Sequence, residues 1–107
     1  MRGYQVPPAE LEALLLNHDL IEDAAVIGVP DEYSGELPRA FVVLKQGPKG
    51  TKDLSCEIQK WVEERKVKYK WLKGGIEFVD MIPKTASGKI LRKDLRLREK
   101  EKVKAKL

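Results

Sequence analysis

Apolar residues recur at helical spacing early in the chain. Leu11, Leu14 and Leu15, with Ala13 beside them, share one face over residues 9–17. Before them, Tyr4-Gln5-Val6 reads as extended and ends in Pro7-Pro8. The first proline keeps its predecessor out of the helical region, and the second suits a first helical turn. Glu10 and Glu12 then fall where a helix N-terminus favours anions. An amphipathic helix is predicted over 9–17. Residues 23–29 form a short apolar run closed by Pro30, which predicts a buried strand. A polar loop with Gly35 is expected over 31–38, and the β-branched and aromatic stretch 40–45 is a second strand, antiparallel to the first.

After a break at 46–50, Asp53 or Ser55 can cap a second helix over 54–65. There Leu54, Ile58, Trp61, Val62 and Arg65 keep helical spacing. A basic stretch at 66–73 carries Tyr69 and Trp71. Gly74-Gly75 ends it, and 76–79 reads as a third strand. A polar loop at 84–89 leads into a charged helix over 90–106, with a thin apolar stripe at Ile90, Leu91, Leu95 and Leu97. The order helix, strand, strand, helix, strand, helix predicts an α+β fold. It is a small three-stranded sheet packed with helices, forming one domain over 1–107.

Composition narrows the chemistry. The 107 residues, 42% hydrophobic and 36% charged, describe a heavily charged globular domain. No apolar run approaches the ~20 residues of a membrane span, and residues 1–10 lack the apolar core of a signal peptide. One cysteine, Cys56, excludes an internal disulfide, and one histidine, His18, leaves no ordinary metal set. The net charge of +4 is unevenly placed. Residues 84–107 hold ten Lys/Arg against three Asp/Glu, or +7, and residues 1–83 hold eleven against fourteen, or −3. The basic tail is either a solvated helix face or a surface for an anionic ligand, nucleic acid or membrane.

His18 ends the first helix among leucines, a position for a dipole contact rather than a catalytic base. Cys56 reads as a small half-buried residue near a helix start, and the pairs Glu63-Glu64 and Asp31-Glu32 as solvated charge. The loop 83–90 differs. Small residues ending in Ser87-Gly88-Lys89 lie between a strand and a helix, so backbone N–H groups can face an anion and the lysine can reach over it. It is not a Walker loop, which needs glycine at Pro83 and Ser or Thr at Ile90. Spacing alone leaves two readings: an exposed turn with a solvated lysine, or a lysine reaching into a site formed by another domain.

Pro83-Lys84-Thr85-Ala86-Ser87-Gly88-Lys89-Ile90-Leu91-Arg92 resembles the C-terminal signature of the adenylate-forming enzymes: acyl-CoA synthetases, 4-coumarate-CoA ligases and beetle luciferases. Gly3-Tyr4-Gln5-Val6-Pro7-Pro8-Ala9-Glu10-Leu11-Glu12 resembles the segment that follows the family's interdomain hinge. Val29-Pro30-Asp31, the stretch from Gly35 to Val43 and that from Gly74 to Asp80 fit as well, so the resemblance covers nearly the whole chain.

The resemblance implies the C-terminal lid of an ATP-dependent acyl- or aryl-CoA ligase, whose large N-terminal domain is absent from this sequence. The family's reaction joins a carboxylic acid to ATP, giving acyl-adenylate and pyrophosphate; the CoA thiol then displaces AMP. The lid alternates between two poses. Lys89 is implied to bridge carboxylate and α-phosphate during adenylation, with Ser87 and Gly88 beside it at the nucleotide. Arg2, Gly3 and Tyr4 are implied to line the CoA path, where glycine lets the pantetheine arm pass close to the backbone. Gln5 is implied to touch the adenylate phosphate. Arg2 stands where many ligases carry lysine, which keeps charge but not geometry. Lys84 and Ser87-Gly88-Lys89 fit CoA ligases better than peptide-synthetase domains, which tend to have Asn before Gly-Lys.

Magnesium is expected with ATP on the missing domain, and the 107 residues alone are expected to be inactive. Lys66, Lys68, Lys70 and Lys73 around Tyr69 and Trp71 have two readings. They hold the phosphate-bearing adenosine end of CoA, Lys70 above all, or they form a snorkelling basic stretch whose aromatics, chiefly Trp71, enter the core. Ala105-Lys106-Leu107 resembles the Ser-Lys-Leu type of peroxisomal address and implies an import receptor as partner. The rival is a stand-alone basic nucleic-acid-binding or regulatory module. Against nucleic acid, the terminal helix carries three acids and no aromatic residue to stack on bases.

Overall fold

The computed structural model describes residues 6–33, 35–66 and 68–106, with side chains at 69 and 102–106 outside that description. Along it run α1 (Pro8–Leu15), β1 (Ile21–Asp31), β2 (Gly35–Leu44), α2 (Lys52–Glu63), a 3-10 turn at Lys68–Lys70, β3 (Ile76–Phe78) and α3 (Arg92–Lys106). The predicted α+β class and three-stranded sheet are present. The sheet has the order β1-β2-β3, with β1 antiparallel to β2 and β2 parallel to β3.

The hairpin is longer than the sequence suggests. Pro30 does not close β1, and most of the expected loop at 31–38 belongs to β2: Asp31 pairs with Gly35 and Gly28 with Pro38. Both prolines are tolerated for the same reason. Ala40 N–H donates to Gly75 O, away from β1. Pro38, two residues earlier, points its nitrogen the same way, where β3, paired only to residues 40–42, has not begun. On β1, Val26 and Pro30 share one parity and face the open edge of the sheet, so Pro30 removes no ladder bond.

Alternation in the strands divides the core between two faces. Ala24, Val26, Ala40 and Val42 pack with Leu11 and Leu15 of α1, Ile58 and Val62 of α2, and Leu72. Ala25, Ile27 and Phe41 face the other way and pack with Ile82 and Leu95 of α3. Burial on both faces explains the unbroken apolar run of β1. The cap of α2 is neither Asp53 nor Ser55 but Thr51, whose Oγ1 accepts the Leu54 N–H at 3.1 Å. The stripe of α3 is thinner than expected. Leu95 is fully buried, whereas Leu97 is 50% exposed.

Arg39 of β2 fixes α3 from the far side. Its Nε donates to Glu99 Oε1 at 2.9 Å, Nη2 to Glu77 Oε1 at 3.0 Å and Nη1 to Gly74 O at 2.9 Å. The Gly74 turn sits so close to β2 that a Cβ there would lie 2.7 Å from Pro38 O.

Candidate functional site

The segment 83–91 is a closed turn rather than an open polar loop. Lys84 and Ile90 form an antiparallel bridge, and Leu91 N–H donates to Pro83 O at 2.9 Å. Inside it, Thr85 N–H donates to Lys89 O at 2.8 Å, Gly88 N–H to Thr85 O at 2.9 Å and Lys89 N–H to Thr85 Oγ1 at 3.1 Å. Ser87 Oγ lies 3.0 Å from Thr85 Oγ1. Gly88 adopts φ of +89°, the left-handed region, with open space where a Cβ would go, so backbone conformation selects glycine here.

The N–H groups of Thr85, Gly88 and Lys89 are spent within the turn. The expected cradle of backbone donors around an anion is therefore not formed by them, and the charge the turn offers is the Lys89 ammonium. Lys89 is exposed, and among the described residues no acceptor holds its Nζ. A cation on a hydrogen-bonded stem, with no acceptor at its tip among the described residues, is suited to meeting anionic atoms brought by another surface.

Two ion pairs fasten the stem, one to β1 and one to α1. Lys84 Nζ lies 2.6 Å from Asp23 Oδ2. Arg92, the first residue of α3, places Nη2 2.6 Å from Glu12 Oε1 and directs Nε to Val26 O at 3.3 Å. Glu12 is 8% exposed, and its Oε2 accepts the Val26 N–H at 2.8 Å. The pair thus satisfies both main-chain groups of Val26 on the open edge, as a fourth strand would. Sequence reasoning placed Glu12 at a helix start and left Arg92 without a role. The available signal was an acid on the buried side of α1, three residues before Leu15.

Lys70 lies elsewhere, on the connector between α2 and β3. Its Nζ is 2.9 Å from Glu10 Oε2, and Lys66 Nζ is 2.7 Å from the same oxygen. The Lys66 ammonium, and then that of Lys70, hold the Glu10 carboxyl below its ordinary range. Trp71 is half-buried, its Nε1 donating to Lys66 O at 2.8 Å, and Leu72 takes the core position that one of the two readings gave to Trp71. The indole N–H needs an acceptor, which the main chain supplies at the surface and the apolar core does not. Tyr69, as a side chain, lies outside the described residues, as do Arg2, Gly3, Tyr4, Gln5 and Leu107, and the side chains of Ala105 and Lys106.

His18 keeps a structural role. Its Nδ1 accepts Leu20 N–H at 3.1 Å, and its ring meets Trp61 edge-on at 5.0 Å. Cys56 is exposed rather than half-buried, because α2 turns Leu54, Ile58 and Val62 inward and leaves it on the outer face. Among the described residues no three His, Cys, Asp or Glu side chains gather as a metal site, and no helix is long and apolar enough to cross a membrane.

The family model of the AMP-binding enzyme C-terminal domain matches residues 10–89. A 4-coumarate–CoA ligase 3 of Oryza sativa subsp. japonica is 53% identical over 97 residues, which cover 91% of this chain and 17% of that protein. A luciferin 4-monooxygenase of Photuris pensylvanica is 48% identical over 95 residues, covering 89% and 17%. Among solved structures, the acyl-CoA synthetase of Brucella canis superposes with a TM-score of 0.85 at 41% identity, over 94% of this chain and 18% of that one. The chain therefore spans less than a fifth of the length of the proteins it resembles.

Proposed function

Since the chain belongs to the family of AMP-binding enzyme C-terminal domains, we propose that it is the lid of an ATP-dependent acyl- or aryl-CoA ligase. The observation that carries the reading is the Lys89 turn: an exposed cation with no acceptor among the described residues, on a stem pinned to β1. In the first half-reaction a carboxylate oxygen attacks the α-phosphorus of ATP, and the bond to pyrophosphate breaks. Negative charge gathers on the oxygens around that phosphorus, and Lys89 neutralises it. In the second, the CoA sulfur attacks the acyl carbon and AMP leaves.

Arg2, Gly3, Tyr4 and Gln5 serve that step, and Lys70 with Lys66 offers charge to the CoA phosphates. Such a ligand has to displace Glu10, which now occupies both lysines. Magnesium accompanies ATP on the preceding domain. Met81 and Leu97, 75% and 50% exposed, border an open groove with Pro83 beside the turn, which suits a face that meets that domain.

The test is carboxylate-dependent ATP–pyrophosphate exchange. The full-length protein is expected to catalyse it with acyl or aryl acids, and the 107-residue chain alone to show none. Exchange by the isolated chain would overturn the assignment of the nucleotide pocket to another domain. The nucleic-acid rival is not favoured, since α3 carries three acids and no aromatic residue to stack on bases, and the family match extends over residues 10–89.

Ala105-Lys106-Leu107 is proposed as a peroxisomal address read by an import receptor. The last dozen residues fused to a fluorescent reporter should bring it to peroxisomes in a eukaryotic cell, and deletion of Leu107 should return it to the cytosol. A diffuse signal from the intact tail would make the tripeptide accidental.

A further inference from the structure

We infer that Glu12 and Arg92 are positioning residues for adenylation, acting together as a clamp that sets where Lys89 points; the inference rests on the role proposed for Lys89. Arg92 lies three residues after Lys89, across the Pro83–Leu91 closure. Its guanidinium reaches Glu12 of α1 and the Val26 carbonyl of β1, and Glu12 in turn holds the Val26 N–H. Two helices and the edge strand are thus tied at one residue, and the exit of the lysine turn is one arm of the knot. Its entry is held separately by Lys84 and Asp23, also on β1.

The two anchors differ in kind. Lys84 and Asp23 are 36% and 29% exposed, so both ends are open to water; Arg92 is 31% exposed, but its partner Glu12 is only 10% exposed. A charge pair shielded on one side holds its geometry better than a solvated one. Breaking it leaves the other group poorly hydrated and unpaired. Simple stabilisation of the domain could come from an apolar contact at this place. A carboxylate and a guanidinium that also bind the main chain of Val26 fix direction as well. Direction matters for a cation that must meet charge on a small group, because an error near 1 Å can cost about 10²-fold in rate.

The experiment uses the full-length ligase with Arg92→Met, Arg92→Lys and Glu12→Gln. Pyrophosphate release from ATP and acid is measured, then thioester formation from supplied acyl-adenylate, and amide exchange of peptides covering 84–91 and β2. Arg92→Met is expected to slow adenylation about tenfold or more, to leave the thioester step essentially unchanged and to speed exchange at 84–91 without altering β2. Arg92→Lys keeps the charge but not the two-point reach to Glu12 and Val26, so it should recover only part of the rate, and Glu12→Gln should also fall between Arg92→Met and the parent.

Parallel loss in both half-reactions, or unchanged exchange at 84–91, would overturn the clamp. If the parent protein adenylates no acid, the proposed function fails on its own. The exchange arm still decides the clamp: faster exchange confined to 84–91 supports it, and unchanged exchange overturns it.

Discussion

On the function proposed above, Lys89→Ala in the full-length protein is expected to slow adenylation by about 10²–10³-fold, equivalent to ~3–4 kcal/mol of transition-state stabilisation. The measurement is single-turnover pyrophosphate release at saturating ATP and acid. The expected size follows from what the turn does. Its internal hydrogen bonds use the donors of Thr85, Gly88 and Lys89, so no backbone group among them can replace the missing ammonium. The turn itself should be unaffected, because the Lys89 side chain contributes none of its bonds and the Lys84 bridge to Ile90 remains. The loss should therefore appear in rate and not in folding.

Leu95→Ala is expected to destabilise the domain by about 2–5 kcal/mol, the usual range for a fully buried leucine. Among the described side chains of α3, Leu95 is the one that is fully buried, against Ala25, Ile27, Phe41 and Ile82. A domain of this size has only about 5–15 kcal/mol in all, so the variant should unfold at visibly lower urea. Leu97→Ala, two residues on and half exposed, should change stability by no more than about 0.5 kcal/mol. Urea unfolding of both variants separates the cases; equal shifts would mean that α3 is seated differently.

Much of this was legible in the sequence, because hydrophobic period reports burial directly. Leu11 and Leu15, or Ile58 and Val62, could face only one way on a helix. The run 23–29 has no polar alternation because α1 and α3 cover both faces of β1. The errors fell where a residue's meaning depends on long-range register. Pro30 and Pro38 look like breaks until the parity of the hairpin puts their nitrogens on unpaired sides. The core was one of two readings for Trp71, but its indole N–H needed the Lys66 carbonyl.

At the site, Ser87-Gly88-Lys89 was readable as a turn, and Gly88 does occupy the left-handed region. The internal use of the turn's donors was not readable, since it depends on Thr85 being folded back over Lys89. Nor was the link between Glu12 and Arg92, which are 80 residues apart and meet only once the fold brings both to the edge of β1.

The central claim is that Lys89 acts in adenylation and not in thioester formation. It is tested most directly by measuring both half-reactions on one preparation of full-length Lys89→Ala. One aliquot receives ATP and acid, and another receives synthetic acyl-adenylate and CoA. The account predicts that the ratio of the adenylation to the thioester rate constant falls by about two orders of magnitude or more against the parent, nearly all of it in the first step. An unchanged ratio, with both steps slowed alike or neither slowed, would contradict it.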